Sequence, residues 1–281
     1  MRRFKNTLMS IALVAVLCVV FTPVALFAQA TKIVIDGSTT VGPIAKAFAE
    51  YYMSKNAGVN ITVSESGSGN GAKSLINGTC DIATMSRFMK DEEFKAAVEK
   101  GVFPVATVVS VDGIAVIVHP SCPVQGLSID QIRDIYTGKL TSWKDVGGPN
   151  VPIVLISRDT NSGTYESFET LVLNKEKISN KAEYVGSNGA VRERVQSTPA
   201  AIGYVGLGFV DKTVKALKVN NIMPDEATVT SGTYPIARPL FMFTNGYPKM
   251  GSALYSFLNL YLTPKGQEIV KAIGFVPVTK Y

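Results

Sequence analysis

Three short segments of this chain combine glycine with small hydroxylated residues, a composition suited to holding an anion. They cover residues 37–40, 65–71 and 158–164. Each follows a strand-like run and leads into a helical pattern, so that free backbone N–H groups at the start of a helix can point at a bound anion. Three such segments and an arginine together predict a pocket that surrounds one oxyanion from several sides.

The segment around Arg158 offers the strongest donors. A buried oxyanion loses its water, so each oxygen needs new hydrogen bonds from N–H groups, hydroxyls or a guanidinium. Arg158 can contact two oxygens with its planar fork, and charge-assisted bonds of this kind contribute about 1.5–3 kcal/mol each. Ser162, Gly163 and Thr164 add hydroxyl and N–H groups where the next helix is expected to begin.

Each segment has an ordinary structural explanation when it is taken alone. Residues 37–40 can form a capped turn between a strand and a helix, and residues 66–71 can form a flexible turn. Arg158 can make a surface ion pair with Asp159, which would stabilise the fold by about 0–1 kcal/mol. The joint occurrence of all three segments favours a binding site.

The N-terminal residues have the pattern of a secretory signal peptide. Arg2, Arg3 and Lys5 precede an almost wholly apolar stretch over 8–26, and Ala28-Gln29-Ala30 forms a small-residue cleavage pattern. A membrane anchor is the weaker alternative, because Pro23 interrupts the apolar stretch. We therefore expect cleavage after Ala30 and an exported, soluble mature chain.

Charge and cysteine content exclude several functions. Removal of the signal peptide lowers 28 Lys and Arg to 25 against 22 Asp and Glu, a net charge of +3. A balance so small, without a long basic run, argues against nucleic-acid binding. The mature chain keeps Cys80 and Cys122, which are free to pair in an oxidising compartment, although the sequence does not show whether they meet. Neither has the neighbours of a zinc site, so no metal is expected.

The pattern of elements predicts an α/β protein with a parallel sheet and two domains. Strand-like runs lie at 32–36, 59–63, 81–85, 105–110, 113–118, 151–156, 201–205 and 239–243. Helical patterns lie at 43–54, 91–100, 128–136, 253–262 and 264–273, and another follows residues 162–164. Without a linker-like segment, the chain is expected to cross between the domains twice, near 110–118 and near 235–243.

The motifs GSTTVGP, ESGSGNG, DIATMSR, SRDTNSGT and AIGYVGLGFV follow the signal peptide in this order. In their order and spacing, over essentially the whole mature chain, the sequence resembles the periplasmic phosphate-binding proteins of the phosphate ABC transporter. The resemblance implies a type II periplasmic-binding-protein fold with two lobes, each a sheet flanked by helices, and a hinge of two crossing segments. Residues 31–112 plus 238–281 would form lobe 1 and residues 113–237 lobe 2.

The resemblance also implies a ligand, a partner and a set of site residues. Inorganic phosphate would bind between the lobes of a periplasmic monomer, which would deliver it to the membrane permease of an ABC importer without any cofactor. The implied site residues are Ser38, Thr39, Thr40, Ser68 and Gly69, together with Arg158, Ser162, Gly163 and Thr164. A shorter branch of the family adds Ser86 and Arg87.

The sequence does not identify the group that accepts the phosphate proton. The best-known branch of the family has an aspartate where this chain has Ser86-Arg87, and Asp36, Asp81 and Asp159 are the alternative carboxylates. A carboxylate in the pocket would favour protonated phosphate over sulfate, so sulfate or molybdate remains an alternative ligand.

Two other functions are alternatives to phosphate transport. A sensory role for the same anion is equally compatible with the motifs. A serine hydrolase is the weakest hypothesis, because His119 is the one histidine available as a base.

Overall fold

The computed structural model describes residues 31–279. The predicted signal peptide and its cleavage site lie outside these residues. Within the described part of the chain, we find no helix that is both long and apolar enough to cross a membrane.

The strands alternate with helices along most of the chain. The strands are β1 (Thr31–Gly37), β2 (Val59–Ser64), β3 (Ile82–Met85), β4 (Pro104–Val118), β5 (Gly126–Leu127), β6 (Val154–Arg158), β7 (Glu183–Val185), β8 (Ala201–Gly206), β9 (Lys215–Ala216), β10 (Lys218–Val219) and β11 (Ala237–Asn245).

Helices pack against the sheet, and three of them begin at or just after the segments singled out above. They are α1 (Gly42–Lys55), α2 (Ser68–Ile76), α3 (Asp91–Glu99), α4 (Ile129–Thr137), α5 (Gly163–Leu171), α6 (Asn188–Ser197), α7 (Glu226–Thr230), α8 (Ala253–Leu258) and α9 (Pro264–Ala272), with 3₁₀ turns at Trp143–Val146, Leu207–Phe209 and Asn259–Leu262. The predicted helix that begins at Ser128 is confirmed. The Ser128 hydroxyl caps it by accepting a bond from the Gln131 N–H.

The sheet is mixed: the predicted parallel arrangement holds for β1, β2 and β3, but β4 runs antiparallel to its neighbours. Its strand order is β2-β1-β3-β11-β4-β8-β6-β7, with β9 also paired to β4. β1 runs parallel to β2 and β3, and β6 runs parallel to β7 and β8. In the middle, β11 is antiparallel to β3 and β4, and β4 is antiparallel to β8.

β4 is one continuous strand of 15 residues, where the sequence predicted two strands at 105–110 and 113–118. Two polar residues near this junction, Ser110 and Asp112, stay in the strand because they have buried partners: the Ser110 hydroxyl donates to the Val276 carbonyl at 2.9 Å, and Asp112 pairs with Arg238. The first part of β4 pairs with β11 and its end pairs with β8.

The apolar core divides into clusters that follow the chain. Two clusters draw their buried members from residues 33–109 and 240–275. Two others draw theirs from residues 114–236, joined by Val276. In the latter region Phe168 of α5 stacks on Tyr204 of β8, with ring centroids 3.9 Å apart. This packing fixes the position of α5 against the sheet.

The two cysteines of the described chain lie in different clusters. Cys80 belongs to a cluster of the first region and Cys122 to one of the second, and both are buried free thiols. The question that the sequence left open is therefore answered, because the two residues form no disulfide with each other.

Candidate anion-binding site

The starts of four helices meet at one buried place. The Thr40 hydroxyl, just before α1, lies 2.9 Å from the Thr164 hydroxyl in the first turn of α5. The Asn188 amide, at the start of α6, donates to the Thr39 and Thr40 hydroxyls at 3.1 and 2.9 Å. Because a helix start carries unpaired N–H groups and partial positive charge, this arrangement favours an anion.

α2 joins the same cluster through Ser68. The Ser68 oxygen accepts a bond from the Ser86 N–H at 3.1 Å, and the two hydroxyls are 3.3 Å apart. Gly163 lies directly opposite, and a Cβ atom there would come within 2.5 Å of the Ser68 oxygen and 2.7 Å of the Ser86 oxygen. The Gly69 N–H donates to the Asn161 carbonyl at 3.0 Å, which holds α2 against the segment before α5.

Ser38 and Ser162 organise the loops from within. The Ser38 oxygen accepts bonds from the N–H groups of Thr40 and Val41, and the Ser162 oxygen accepts from those of Thr164 and Tyr165. These bonds occupy the lone pairs of both oxygens, so each hydroxyl keeps its hydrogen as a donor. The polar side chains of this cluster are buried: Ser38, Thr39, Thr40, Ser68, Ser86, Arg158, Ser162, Thr164 and Asn188.

Arg158, the last residue of β6, is only 1% exposed. Its Nε donates to the Val185 carbonyl at 3.2 Å and its Nη2 to the Gly186 carbonyl at 2.9 Å, against the turn that leads into α6. Its Nη1 is buried without a hydrogen-bond partner among the described residues. Burial lowers the pKa of Arg158 to about 10, so the guanidinium still carries its charge at neutral pH.

A second arginine, Arg238 of β11, lies beside the cluster. Its Nη2 donates to the Thr164 hydroxyl at 3.0 Å and its Nη1 to the Gly163 carbonyl at 3.2 Å. Asp112 of β4 pairs with it at 2.9 Å. Neither residue of this pair was predicted from the sequence as part of the site.

The comparisons with known proteins agree on one family. A model of the PBP superfamily domain matches residues 27–264. Protein SphX of Synechococcus elongatus is 33% identical over 266 residues, which cover 89% of this chain and 79% of SphX. The phosphate-binding protein PstS of Borreliella burgdorferi is 33% identical over 255 residues, which cover 87% of this chain and 89% of that protein. This chain belongs to the PstS family of the PBP superfamily.

Solved structures of PstS-like proteins show the same fold. A substrate-binding protein of a phosphate ABC transporter from Clostridium perfringens, solved with bound phosphate, has a TM-score of 0.83 and 33% identity, covering 89% of this chain and all of the other. An ABC-type phosphate transport receptor from Vibrio cholerae has a TM-score of 0.71 and 28% identity, over 87% and 99% of the two chains. The predicted two-lobed periplasmic-binding-protein fold is thereby confirmed.

Arg87 differs from the other site residues that the sequence predicted for this PstS-family chain. Its guanidinium donates to both carboxylate oxygens of Glu93 at 2.7 and 2.8 Å and also pairs with Glu166 of α5. The negative charges of these two carboxylates hold the Arg87 guanidinium at the wall of a neighbouring cavity of 520 Å³, which Phe88 and Lys90 also line. The structure therefore engages Arg87 with acidic groups, whereas it brings Ser86 to the hydroxyl cluster.

The carboxylates considered as proton acceptors have local partners in this PstS-family fold. Asp36 accepts bonds from the Ser66 and Ser74 hydroxyls at 2.7 and 2.6 Å. Asp81 accepts from the Val34 N–H at 2.7 Å, and Asp159 accepts from the Asn161 N–H at 2.8 Å. The bonds of Asp36 and Asp159 stabilise the loops that carry the cluster, whereas that of Asp81 joins the start of β3 to β1.

His119, the one candidate base, bonds within its own turn. Its Nδ1 lies 2.7 Å from the Ser121 hydroxyl and accepts a bond from the Ser121 N–H. Over residues 31–279 we also find no group of His, Cys, Asp and Glu side chains that could hold a metal ion. The groups assembled at the cluster are hydroxyls, N–H groups and a guanidinium, which can donate hydrogen bonds.

Sequence reasoning missed Asn188, Arg238 and Asp112. A signal for Asp112 was present, because it is the one charged residue within the apolar run of β4. A charge inside a buried strand needs a partner, which Arg238 of the neighbouring strand provides. Asn188 has no comparable signal, since polar residues are ordinary at the start of a helix.

Proposed function

We propose that this protein binds inorganic phosphate between its two lobes and delivers it to the membrane permease of an ABC importer. The observation that carries the proposal is the unpartnered Nη1 of Arg158, a buried donor on a charged group. A buried arginine nitrogen is rarely left without a hydrogen bond, so a ligand or a water molecule must complete it. The names of the relatives and the phosphate in the Clostridium perfringens structure support phosphate as that ligand.

The arrangement of donors suits a tetrahedral dianion. Four helix starts surround the cluster, and Arg158 adds a full positive charge, so phosphate oxygens can exchange their water for N–H and O–H bonds. A protonated phosphate oxygen can donate to a hydroxyl such as that of Ser86, which sulfate, having no proton, cannot do. This difference is the basis on which we expect phosphate to bind more tightly than sulfate or molybdate.

Binding would proceed by closure of two lobes about a hinge. We assign residues 31–112 and 238–281 to one lobe and residues 113–237 to the other. β4 and β11, which pass between these regions side by side, would form the hinge. The bond between Thr40 and Thr164 would join the lobes in the closed form. Phosphate favours closure because only the closed form surrounds it with donors.

The protein would work outside the cytoplasm as a monomer. A signal peptide cleaved after Ala30 would export it to the periplasm, where the closed and liganded form would dock on the permease. The same docking could serve a sensory receptor, and transport is preferred because the relatives are transporter proteins by name.

The surroundings of the serines in the cluster support a role in binding over one in catalysis. A serine nucleophile needs a base, but His119 is bonded to Ser121 in its own turn. Incubation with a phosphomonoester and an activated ester should give no turnover. Turnover that a single Ser68→Ala or Ser162→Ala substitution abolishes would show instead that the protein is a hydrolase.

Titration calorimetry of the mature chain with phosphate, arsenate, sulfate and molybdate tests the proposal. We expect saturable binding of one phosphate per chain, with arsenate as the nearest competitor because it shares the charge and protonation of phosphate. Tighter binding of sulfate or molybdate would overturn the assignment of phosphate.

A further inference from the structure

Arg238 and Asp112 face each other on the two longest strands of the sheet. They are direct partners in the antiparallel ladder of β11 and β4, next to the point where β4 leaves β11 and pairs with β8. The Asp112 Oδ2 accepts bonds from Arg238 Nε at 3.2 Å and Nη2 at 2.9 Å. Its Oδ1 accepts from the Leu207 N–H at 2.9 Å, and both side chains are buried. The pair is thus fixed in one orientation.

The remaining N–H groups of Arg238 connect two separate parts of the chain. Nη1 donates to the Ser86 carbonyl at 3.0 Å and to the Gly163 carbonyl at 3.2 Å, and Nη2 donates to the Thr164 hydroxyl at 3.0 Å. Ser86 follows β3, whereas Gly163 and Thr164 form the first turn of α5. One guanidinium therefore ties the end of a central strand to the helix start that faces the anion site.

Arg238 has no donor left for a ligand. A guanidinium carries five N–H groups, and the five bonds described above use all of them. Arg158 differs, because its Nη1 has no partner among the described residues. The two buried arginines therefore have separate tasks, contact with the anion for Arg158 and the positioning of α5 for Arg238.

We propose that Arg238, held in place by Asp112, is an interlobe latch that keeps the first turn of α5 in the position that receives phosphate. The proposal rests on the proposed function. In the lobe assignment given above, Asp112, Ser86 and Arg238 belong to one lobe and Thr164 to the other. Opening of the cleft would break the bonds to Gly163 and Thr164, while the bonds to Asp112 and Ser86 would persist.

A purely structural role for the pair is the alternative. A buried ion pair is a weak source of stability, because the loss of water from both charges offsets their attraction. Burial raises the pKa of Asp112 and lowers that of Arg238, which shows this cost on both partners. A latch predicts a change in how long the ligand stays bound, and a structural pair predicts a change in stability alone.

Arg238→Lys separates these alternatives. Lysine keeps the charge beside Asp112 but cannot bond Ser86, Gly163 and Thr164 at once. Stopped-flow measurement of phosphate binding should show dissociation at least tenfold faster, about 1.4 kcal/mol, with a much smaller change in the association rate. The matched control is Arg194→Lys: Arg194 is partly exposed and makes a two-pronged pair with Glu183, and its replacement should leave both rates unchanged.

The outcomes distinguish the latch from the proposed function. Phosphate binding by the wild type with unchanged rates in Arg238→Lys would overturn the latch and leave the function intact. Absence of phosphate binding by the wild type would overturn both.

A wild-type measurement covers the case in which Arg238→Lys does not fold. In ¹⁵N spectra of the arginine side chains, the Arg238 Nη protons should exchange slowly with water in the phosphate complex and at least tenfold faster in the free protein. Equal exchange rates in the two states would refute the latch without any variant.

Discussion

The Thr40 hydroxyl lies 2.9 Å from the Thr164 hydroxyl, although 124 positions separate the two residues in the chain. Thr40 also accepts a bond from Asn188, and Thr164 accepts one from Arg238. One of the two hydroxyl hydrogens bridges the pair, so the other remains free whichever way the bridge points. The pair therefore presents a donor to the cleft in either arrangement, as an anion requires.

Replacement of Arg158 tests the residue that we assign to direct contact with phosphate. We expect Arg158→Ala to weaken phosphate binding by at least tenfold, about 1.4 kcal/mol. Arg158→Lys should recover part of this loss, because lysine restores the charge without the fork. Calorimetry of both variants beside Arg192→Ala, which removes a partly exposed arginine paired with Asp211, measures the effect. Unchanged affinity in Arg158→Ala would reject the assigned role.

Asn188→Asp tests whether the cluster depends on donors. The substitution keeps the shape of the side chain but replaces the amide that donates to Thr39 and Thr40 with a carboxylate. Repulsion of the anion and loss of the donor should reduce phosphate affinity at least a hundredfold, about 2.7 kcal/mol. Asn77→Asp is the control, since Asn77 is exposed and bonded to Lys100. A reduction no larger than that of the control would contradict a donor role for Asn188.

Gly163→Ala tests the close approach of α5 to α2. The added Cβ would lie 2.5 Å from the Ser68 oxygen and 2.7 Å from the Ser86 oxygen, so the cleft could not close fully. We expect at least a tenfold loss of phosphate affinity with little change in the melting temperature of the ligand-free protein, because the open form relieves the clash. In Gly189→Ala the new atom would meet its nearest neighbour at 3.8 Å, and affinity should be retained. Equal affinity in the two variants would show that Gly163 does not limit closure.

The thiols should be unreactive in the folded protein. Burial, with the nearby charges of Asp36 and Asp81, raises the pKa of Cys80 to about 12, and only the thiolate attacks a thiol reagent. Cys80 therefore stays protonated at pH 8, and its thiolate forms only as the pH rises towards 12. Labelling of the mature protein with a disulfide reagent at pH 8 should detect almost no thiol before denaturation and two afterwards. A failure to detect thiols after denaturation would reveal a disulfide.

Much of the fold could be predicted from the sequence because most helices and strands are indicated by the residues within them or next to them. Strand-like runs indicated β1 and β2, and Ser128 indicated the start of α4. The antiparallel direction of β4 relative to its neighbours could not be predicted, because strand pairing depends on contacts between distant segments. The continuity of β4 through Asp112 likewise depends on Arg238, which is 126 residues away.

The site was predictable to the extent that its residues act through local backbone geometry. Glycine and hydroxyl residues before helices indicated Thr40, Ser68 and Thr164, and these lie together in the structure. Arg87 was proposed by resemblance, but the acidic groups that engage it come from α3 and α5 and could not be inferred from its own neighbours. Asn188 entered the cluster only through the tertiary fold.

A crystal structure of the mature protein with phosphate would test the central claim most directly. We expect one phosphate among the starts of α1, α2, α5 and α6, with an oxygen within hydrogen-bond distance of the Nη1 of Arg158. We also expect the five bonds of Arg238 to remain on protein atoms. A phosphate bound elsewhere, or one at the cluster with Arg158 turned away from it, would contradict the account.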